Sequence, residues 1–358
     1  MESAKPPAVN RKLRLLIVET QKFIEQRQWD KAADRARAAG REAEATGDIN
    51  GLVMAGTYLE RLEDYSAAAR LLAAAGLLVA PSALPEWDGS PLSGRTLQVV
   101  QRIRDIGSPI RLGRLLPLAA RGAGRCVALV EPRLVPLFKR SFPQVDVRQA
   151  PGNGVRDLED ADVIASYETL WRHLATDAAT VAGQFTPLRA DPEKVRRFRE
   201  KYSRGHPLIG ICWSSTNAKK DLPGLADWGG FLRSLNATYV SLQYGDVAQD
   251  VAALRSFSGR DVIHDETVDS LTDIDTFSAQ VAAMDAVVTI SNTGAHLAGA
   301  LGAPMIVILD DKNHLIWPVQ GNHTAWYPSA RLVRKEARAW PSVFADVRQQ
   351  VQQLPGGK

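Results

Sequence analysis

The stretch AVVTISNTGAHLAGALGAP, residues 286–304, decides the fold. An apolar run ends at Ile290, the polar turn Ser-Asn-Thr-Gly follows, and a small-residue helical segment carries His296 on its first turn. This order predicts a buried strand that leads directly into a helix. In an open parallel sheet, ligands bind beyond the carboxyl ends of the strands, where free helix N–H groups favour a phosphate. The turn is therefore a candidate anion site.

The residues of this turn suit a phosphate, but they also suit plain helix capping. Ser291, Asn292 and Thr293 offer hydroxyls, an amide and capping oxygens, and Gly294 lets the backbone approach a ligand closely. The ring of His296 can reach an anion from the first helical turn, whereas a lone histidine is more often structural. From spacing alone, both interpretations stay open.

Bulk composition excludes several classes of protein. The chain has 358 residues, 45% hydrophobic and 23% charged, which suits a globular protein of more than one domain. A dispersed net charge of +4 gives no argument for nucleic acid. The apolar runs are too short for a membrane span or a signal peptide, so we expect a cytoplasmic protein. Cys126 and Cys212 lie in apolar, strand-like runs and are expected to fill core.

The first eighty residues contain a repeat. Residues 29–40 and 65–76 align without gaps at an offset of 36 residues, with alanines and a final glycine in common, and helical stretches precede them at 12–28 and 51–63. A period in the mid-thirties is close to that of tetratricopeptide helix-turn-helix units, although an alanine-rich helical bundle is the alternative. Such units usually hold a partner peptide or another subunit.

Further along, short apolar runs alternate with helical stretches, which predicts βαβ units and parallel sheets. Strands are expected at 96–100, 126–130, 162–166, 208–213, 238–244, 261–265, 286–291 and 305–310. Helices are expected at 108–122, 132–141, 192–202, 275–285 with Asp275 as N-cap, and 341–354. The predicted fold class is α/β, with helical repeats over 1–80 and two Rossmann-like halves over 81–203 and 204–358, facing each other across a cleft.

Four segments of the second half resemble the glycosyltransferases related to ADP-heptose:lipopolysaccharide heptosyltransferases, in the branch fused to tetratricopeptide repeats, some members of which modify flagellin. The segments are IGICWSS (209–215), YVSLQYGD (239–246), residues 273–304, and IWPVQGNHTAWYPSARLVRK (316–335). EWDGSPLSGRTLQVV (86–100) and IGSPIRLGRLLP (106–117) resemble the acceptor half more weakly. The resemblance implies the GT-B architecture and a nucleotide-activated sugar as co-substrate, commonly without a metal or other cofactor.

The resemblance also implies roles for individual residues. Asn292, Thr293, Gly294 and His296 would hold the donor diphosphate, together with Ser291. The nucleotide pocket would be lined by Gln243, Tyr244 and Gly245, although ordinary packing is an equal interpretation for Tyr244. A basic loop with a lysine can neutralise phosphate charge as the leaving group departs; that loop is Ser214, Ser215, Lys219 and Lys220. Trp317 lies in an aromatic cluster with His323, Trp326 and Tyr327 that either forms a cleft wall or anchors a long loop.

The expected catalytic base is missing from its usual place. Transfer with inversion needs a base to deprotonate the acceptor hydroxyl. Relatives place an aspartate in the first loop of the acceptor half, where this chain has Ser108, and serine cannot act as a base unaided. Asp105 is the nearest substitute, and a surface charge is the alternative interpretation of that residue.

Two functions follow from these observations. The first is an inverting glycosyltransferase whose helical repeats dock an acceptor protein such as flagellin, a glycan or a partner subunit. The second is a catalytically degenerate protein of the same fold that binds a nucleotide sugar or a protein partner without transferring sugar.

Overall fold

The structure, a computed structural model, describes residues 10–103, 105–152, 155–217, 220–311 and 316–354. The N-terminal part consists of helices α1 (Arg11–Glu25), α2 (Trp29–Thr46), α3 (Ile49–Arg61) and α4 (Tyr65–Val79). The aligned blocks of the repeat begin α2 and α4. Small residues allow these helices to pack closely. A Cβ on Gly40 of α2 would lie only 2.5 Å from the Leu71 side chain of α4.

The first sheet has four parallel strands in the order β3-β2-β1-β4. Its strands are β1 (Leu92–Val100), β2 (Ala123–Val130), β3 (Asp146–Gln149) and β4 (Val163–Ser166), and its helices are α5 (Gly107–Leu112), α6 (Leu116–Gly122), α7 (Val135–Ser141), α8 (Tyr167–Leu174) and α9 (Ala178–Gly183). The single helix expected at 108–122 is broken by a 3₁₀ turn. Gly113 packs there against Phe138, and a new helix begins at Leu116 with Pro117 in its first turn, where a missing N–H group breaks no helical hydrogen bond.

The second sheet has six parallel strands in the order β10-β9-β8-β5-β6-β7. Helix α10 (Pro192–Tyr202) precedes the strands β5 (Leu208–Cys212), β6 (Thr238–Ser241), β7 (Val262–Ile263), β8 (Ala286–Ile290), β9 (Met305–Leu309) and β10 (Ala330–Arg334). The other helices of this half are α11 (Leu225–Arg233), α12 (Ala248–Ser258), α13 (Ile274–Ala282), α14 (Thr293–Ala300) and α15 (Trp340–Gln352). The strand β8 and helix α14 predicted from residues 286–304 are both present.

The prediction that Asp275 caps a helix is wrong. Asp273 is the N-cap of α13, where its Oδ1 accepts a hydrogen bond from the Thr276 N–H at 2.9 Å. Asp275 lies two residues after this cap, in the first turn of α13, and binds Arg140 of α7 and, at 2.9 Å, Lys194 of α10. Burial acts to raise the pKa of Asp275, but the hydrogen bonds from these two cations lower it overall. Asp275 therefore ties the second half to α7 of the first.

Further contacts hold the two halves together. The guanidinium of Arg114 donates to the Trp326 carbonyl at 2.6 Å, and the N–H of Leu188 donates to the Ala300 carbonyl at 2.8 Å. Cys126 and Cys212 are free and buried. In the described ranges, no helix is long and apolar enough to cross a membrane.

Candidate functional site

A cavity of about 280 Å³ lies between the two halves, at the carboxyl ends of β5, β6 and β8. The first half contributes Ile106 and Arg133. The second half contributes polar and apolar side chains from several loops and helices: Cys212, Ser215, Thr216, Leu242, Tyr244, Ser270, Leu271, Ile274, Phe277, Asn292, Thr293, Gly294 and Leu297. A cavity in this place is where an open parallel sheet binds its ligand.

The N-terminus of α14 forms one wall of this cavity. Asn292 caps the helix, since its Oδ1 accepts the Ala295 N–H at 3.1 Å and its Nδ2 donates to the Cys212 sulfur at 2.9 Å. Thr293 and Gly294 follow as lining residues. The positive end of the helix dipole and the free N–H groups of the first turn favour an anion at this wall.

The polar loop after β5 lies against this helix end. Ser215 lines the cavity, and its Oγ accepts a hydrogen bond from Lys220 Nζ at 3.2 Å. The same Nζ also donates to the Ser291 carbonyl, and burial lowers the pKa of Lys220. Lys220 therefore brings a cation to the turn that precedes α14. Lys219, predicted for the same role, lies outside the described residues.

Of the residues after β6, one supports the polar loop and another lines the cavity. Gln243 is buried, and its Oε1 accepts the N–H groups of Trp213 at 2.9 Å and Ser214 at 2.8 Å, so it shapes the polar loop from behind. Tyr244 lines the cavity, and its hydroxyl accepts the Thr216 N–H at 2.9 Å. Gly245 has a φ of +85°, a left-handed conformation that glycine adopts readily, and it turns the chain away.

His296 and Trp317 lie behind the cavity wall and support it. The rings of these two residues stack with centroids 5.8 Å apart, and Trp317 Nε1 donates to Ser291 Oγ at 2.8 Å. His296 Nδ1 is 2.9 Å from the Tyr327 hydroxyl. Burial, followed by the charges of Arg111 and Lys220, lowers the pKa of His296 to about 3. The ring is therefore neutral near pH 7 and offers a hydrogen bond rather than a positive charge.

The aromatic segment around residue 317 anchors a loop. Trp317, Trp326 and Tyr327 are almost completely buried, while His323 is exposed and pairs with Arg331. Of the two interpretations of this cluster, the geometry favours the anchor.

A second cavity, of about 690 Å³, adjoins the first and lies mainly in the first half. Ile106 and Arg133 line both cavities. The remaining lining residues come from the carboxyl ends of β1, β2 and β3 and from the end of α4: Val79, Ala80, Gln101, Arg102, Asp105, Glu131, Pro132, Gln149, Ala150, Pro151, Gly152 and Val155. Two adjoining cavities, one between the halves and one mainly in the first half, suit a reaction between two substrates.

Asp105 lies in the second cavity and Ser108 at the start of α5. The Oδ1 atom of Asp105 accepts the Ser108 N–H at 2.5 Å. Among the described residues, the Oδ2 atom takes no hydrogen bond, and the side chain is exposed to solvent. The two predicted catalytic residues are thus adjacent, with one carboxylate oxygen held and the other available.

Sequence reasoning missed Arg133. Its Nη1 donates to the Leu271 carbonyl of the second half at 2.6 Å, and its Nε donates to Glu131 Oε1 at the same distance. The signal was its position directly after β2, where parallel strands present ligand-binding loops. The apolar lining residues Leu242, Ile274 and Phe277 carried no comparable signal, because they look like ordinary core.

The helical region also reaches the site. Glu60 of α3 and Arg111 of α5 form a buried ion pair, and the Arg111 guanidinium lies 4.6 Å from the Trp326 ring centre and 5.3 Å from that of Trp171. Since α5 begins at Gly107 beside His296, this pair links the repeats to the cleft.

Comparisons with known proteins agree with this architecture. No protein-family model matches the chain. The chain is similar to Protein FlbA of Caulobacter vibrioides, at 28% identity over 286 residues, which cover 73% of this chain and 47% of FlbA. It therefore spans less than half the length of that relative.

Two solved structures are also similar. The ADP-heptose lps heptosyltransferase II of E. coli matches with a TM-score of 0.50 and 13% identity, over 72% of this chain and 99% of that one. The glycosyl transferase family 9 protein from Veillonella parvula has a TM-score of 0.49 and 9% identity, over 75% of this chain and 92% of that one. The first of these likenesses fixes the fold. This chain has a GT-B-like fold preceded by a helical region.

Proposed function

We propose that the protein is a glycosyltransferase that takes a nucleotide-activated sugar in the smaller cavity and an acceptor hydroxyl in the larger one. The observation that carries the proposal is the capped N-terminus of α14, with Asn292, Thr293 and Gly294, forming the wall of a cavity lined by both halves. A helix end of this kind stabilises a diphosphate. The likeness in fold to a heptosyltransferase and the sequence segments described above support the same assignment.

In the proposed reaction, the leaving diphosphate is stabilised by charge that the chain itself supplies. The N–H groups of α14 and the ammonium of Lys220 stabilise the charge that develops on the leaving group. The acceptor hydroxyl is deprotonated by Asp105, whose Oδ2 atom is available in the larger cavity. Because these groups of the chain stabilise the leaving group and accept the proton, the proposed reaction needs no metal ion. EDTA should therefore leave sugar transfer unchanged.

A second function is donor binding without transfer, and one observation favours it. Ser108 stands where relatives have an aspartate, and the Asp105 carboxylate already holds the Ser108 N–H at 2.5 Å. A scaffold of this kind would keep the donor cavity and lose turnover. That the partner is a flagellin-like protein stays a prediction.

One experiment separates these functions. Thermal unfolding is measured with a panel of nucleotides and nucleotide sugars, because a ligand that binds only the folded state stabilises it in proportion to the logarithm of its concentration over the dissociation constant. Sugar release from the best ligand is then measured for the wild type and for Asp105→Asn. We expect equal stabilisation and an about 100-fold or greater loss of turnover in the variant. Stabilisation with no turnover in the wild type identifies the scaffold, and no stabilisation by any nucleotide overturns both functions.

A further inference from the structure

A third cavity, of about 860 Å³, lies between the helical region and the second half. The helical region contributes the turn from α1 to α2 and the last residue of α3. The second half contributes β10, α15 and the segments that follow β9 and β10. This cavity shares no lining residue with the two cavities of the candidate site, so the proposed sugar transfer does not involve it. Its volume is in the range of small-molecule sites and exceeds what a bare ion needs.

Arg61, the last residue of α3, brings an unpartnered guanidinium to the wall of this cavity. Its Nε atom is buried, and the side chain forms neither a hydrogen bond nor an ion pair with any described residue. The guanidinium carbon lies 5.6 Å from the centre of the Tyr58 ring. Burial lowers the pKa of Arg61, and the charges of Tyr58 and Asp310 offset this only in part. A buried donor without an acceptor costs free energy, which indicates an acceptor that the chain itself does not supply.

The other charges of the cavity have partners within the chain. Four arginines and five carboxylates line it, so the net charge is close to zero. All five carboxylates accept hydrogen bonds, and two of them, Glu336 and Asp346, pair with Arg27 at 2.8 Å and with Arg338 at 2.6 Å. Within the described part of the chain, Arg61 is the one charged side chain of this lining without a hydrogen bond or an ion pair. The charge that is left without a partner is therefore positive.

Arg334 at the end of β10 is a second cation close to Arg61. Its Nε donates to the Gly321 carbonyl at 3.2 Å and its Nη2 to the Pro318 carbonyl, whereas its Nη1 donates to none of the described residues. Burial lowers the pKa of Arg334 to about 10, and the charges of Arg61 and Arg27 act in the same direction, against that of Glu336. An anion bound between two guanidiniums removes such a repulsion.

The remaining walls suit the organic part of a polar ligand. The partly exposed indole of Trp29 and the amides of Gln320, Asn322 and Gln350 line the cavity. The side chains of these four residues form no hydrogen bond with the rest of the described chain. An indole face packs well against a sugar or a base, and free amides can bind hydroxyl groups or ring nitrogens.

We propose that this cavity binds the phosphate group of a small polar molecule, a sugar phosphate or a nucleotide. The forks of Arg61 and the Nη1 atom of Arg334 bind the phosphate oxygens, since guanidinium matches phosphate in geometry and charge. Trp29 packs against the organic part. Because Arg61 belongs to the helical region and Arg334 to the second half, the bound molecule joins these two parts of the protein.

The test measures binding to the full chain by titration calorimetry at constant ionic strength. The probes are inorganic phosphate, glucose 6-phosphate and adenosine 5′-monophosphate. The wild type is compared with Arg61→Met and with Asn292→Ala, which alters the proposed donor site instead. Arg197→Met is the matched control, because it removes the same charge at an exposed position of α10. Thermal unfolding without ligand establishes how stable each variant is.

We expect one of the two organic phosphates to bind the wild type at least tenfold more tightly than inorganic phosphate, and the preferred one identifies the organic part. Its dissociation constant should rise about tenfold or more in Arg61→Met and stay unchanged in Arg197→Met and Asn292→Ala. Without ligand, Arg61→Met should unfold at the wild-type temperature or above it, because a buried cation without a partner has been removed.

Several results would overturn the proposal. They are no binding of any probe, equal binding of inorganic and organic phosphates, binding that Arg61→Met retains, and binding that Asn292→Ala removes. A lower unfolding temperature of Arg61→Met would also overturn it, because Arg61 would then stabilise the protein without a ligand. Absence of sugar transfer would remove the proposed function and leave this cavity unaffected.

Discussion

A Cβ atom built on Gly107 would lie 3.3 Å from Cδ2 of the His296 ring and 3.3 Å from Oδ1 of Asp105. Gly107 begins α5 in the first half, and His296 belongs to α14 in the second. Gly107 thus lies between Asp105, the proposed base, and the first turns of α14, and it has no side chain. A Cβ at this position would require the His296 ring or the Asp105 carboxylate to move by a few tenths of an ångström.

Gly107→Ala is therefore expected to destabilise the protein by about 1–3 kcal/mol, as overpacking does, and to lower sugar transfer. Urea denaturation and turnover measure the two effects. Gly122→Ala is the matched control, because a Cβ there meets nothing within 4 Å. Equal stability and turnover of the two variants would show that the halves do not pack as closely as described.

His296 gives the protein a pH dependence whose sign follows from its pKa of about 3. The unfolded chain binds a proton at this histidine near its ordinary pKa of 6.5, while the folded chain does not. The contribution of His296 to the free energy of unfolding is therefore complete above pH 6.5 and is lost as the pH falls towards 3. The loss is about 2 kcal/mol at pH 5.

His296→Gln should remove this part of the pH dependence. The variant is expected to lose less stability than the wild type between pH 7 and pH 5, as followed by denaturant unfolding. His323→Gln, at an exposed position, is the control and should retain the wild-type slope. A steep slope that persists in His296→Gln would mean that the ring is protonated in the folded protein.

Local sequence pattern predicted the elements that are uniformly apolar or clearly helical. The strands β5, β8 and β9 are buried over their whole length, so their sequences read as unbroken apolar runs. β3 and β10 were missed because charged residues interrupt them: Asp146 and Arg148 in β3, and Arg331 and Arg334 in β10. Such edge strands depend on tertiary pairing rather than on their own composition.

The sequence predicted only those residues of the candidate site that belong to a local pattern, such as a strand followed by a polar turn and a helix. Asn292 and Gly294 follow a strand and begin a helix, so a local pattern identifies them. The contact of Gly107 with His296 joins residues 189 positions apart in the sequence, and no local pattern contains it. The same reason explains why Arg133 was missed.

Asn292→Ala tests whether the N-terminus of α14 forms part of the proposed nucleotide-sugar site. Loss of the cap on α14 should destabilise the protein by about 1 kcal/mol and abolish stabilisation by nucleotides. Asp48→Ala removes an equivalent cap on α3, where Asp48 Oδ1 accepts the Gly51 N–H at 2.9 Å, and should leave nucleotide binding intact. Thermal unfolding with and without nucleotide measures both effects. Equal nucleotide responses of the two variants would separate Asn292 from the donor.

The ion pair of Glu60 and Arg111 predicts that the helical region and the cleft unfold together. Both side chains are at most 5% exposed, so Glu60→Gln leaves a buried cation that cannot lose its proton, and we expect a loss of about 3–5 kcal/mol. The double variant Glu60→Leu, Arg111→Met replaces both charges by apolar groups and should regain most of that stability.

Asp146→Asn breaks a pair in which both side chains are about 40% exposed, and it should change stability by less than about 1 kcal/mol. Denaturant unfolding is followed by tryptophan fluorescence, to which Trp171 and Trp326, which flank Arg111, contribute. If Glu60→Gln unfolds the helices in a separate, earlier transition while this fluorescence stays native, the pair does not couple the repeats to the cleft. A single transition at lower denaturant supports the coupling, because α5 then loses its position together with α3.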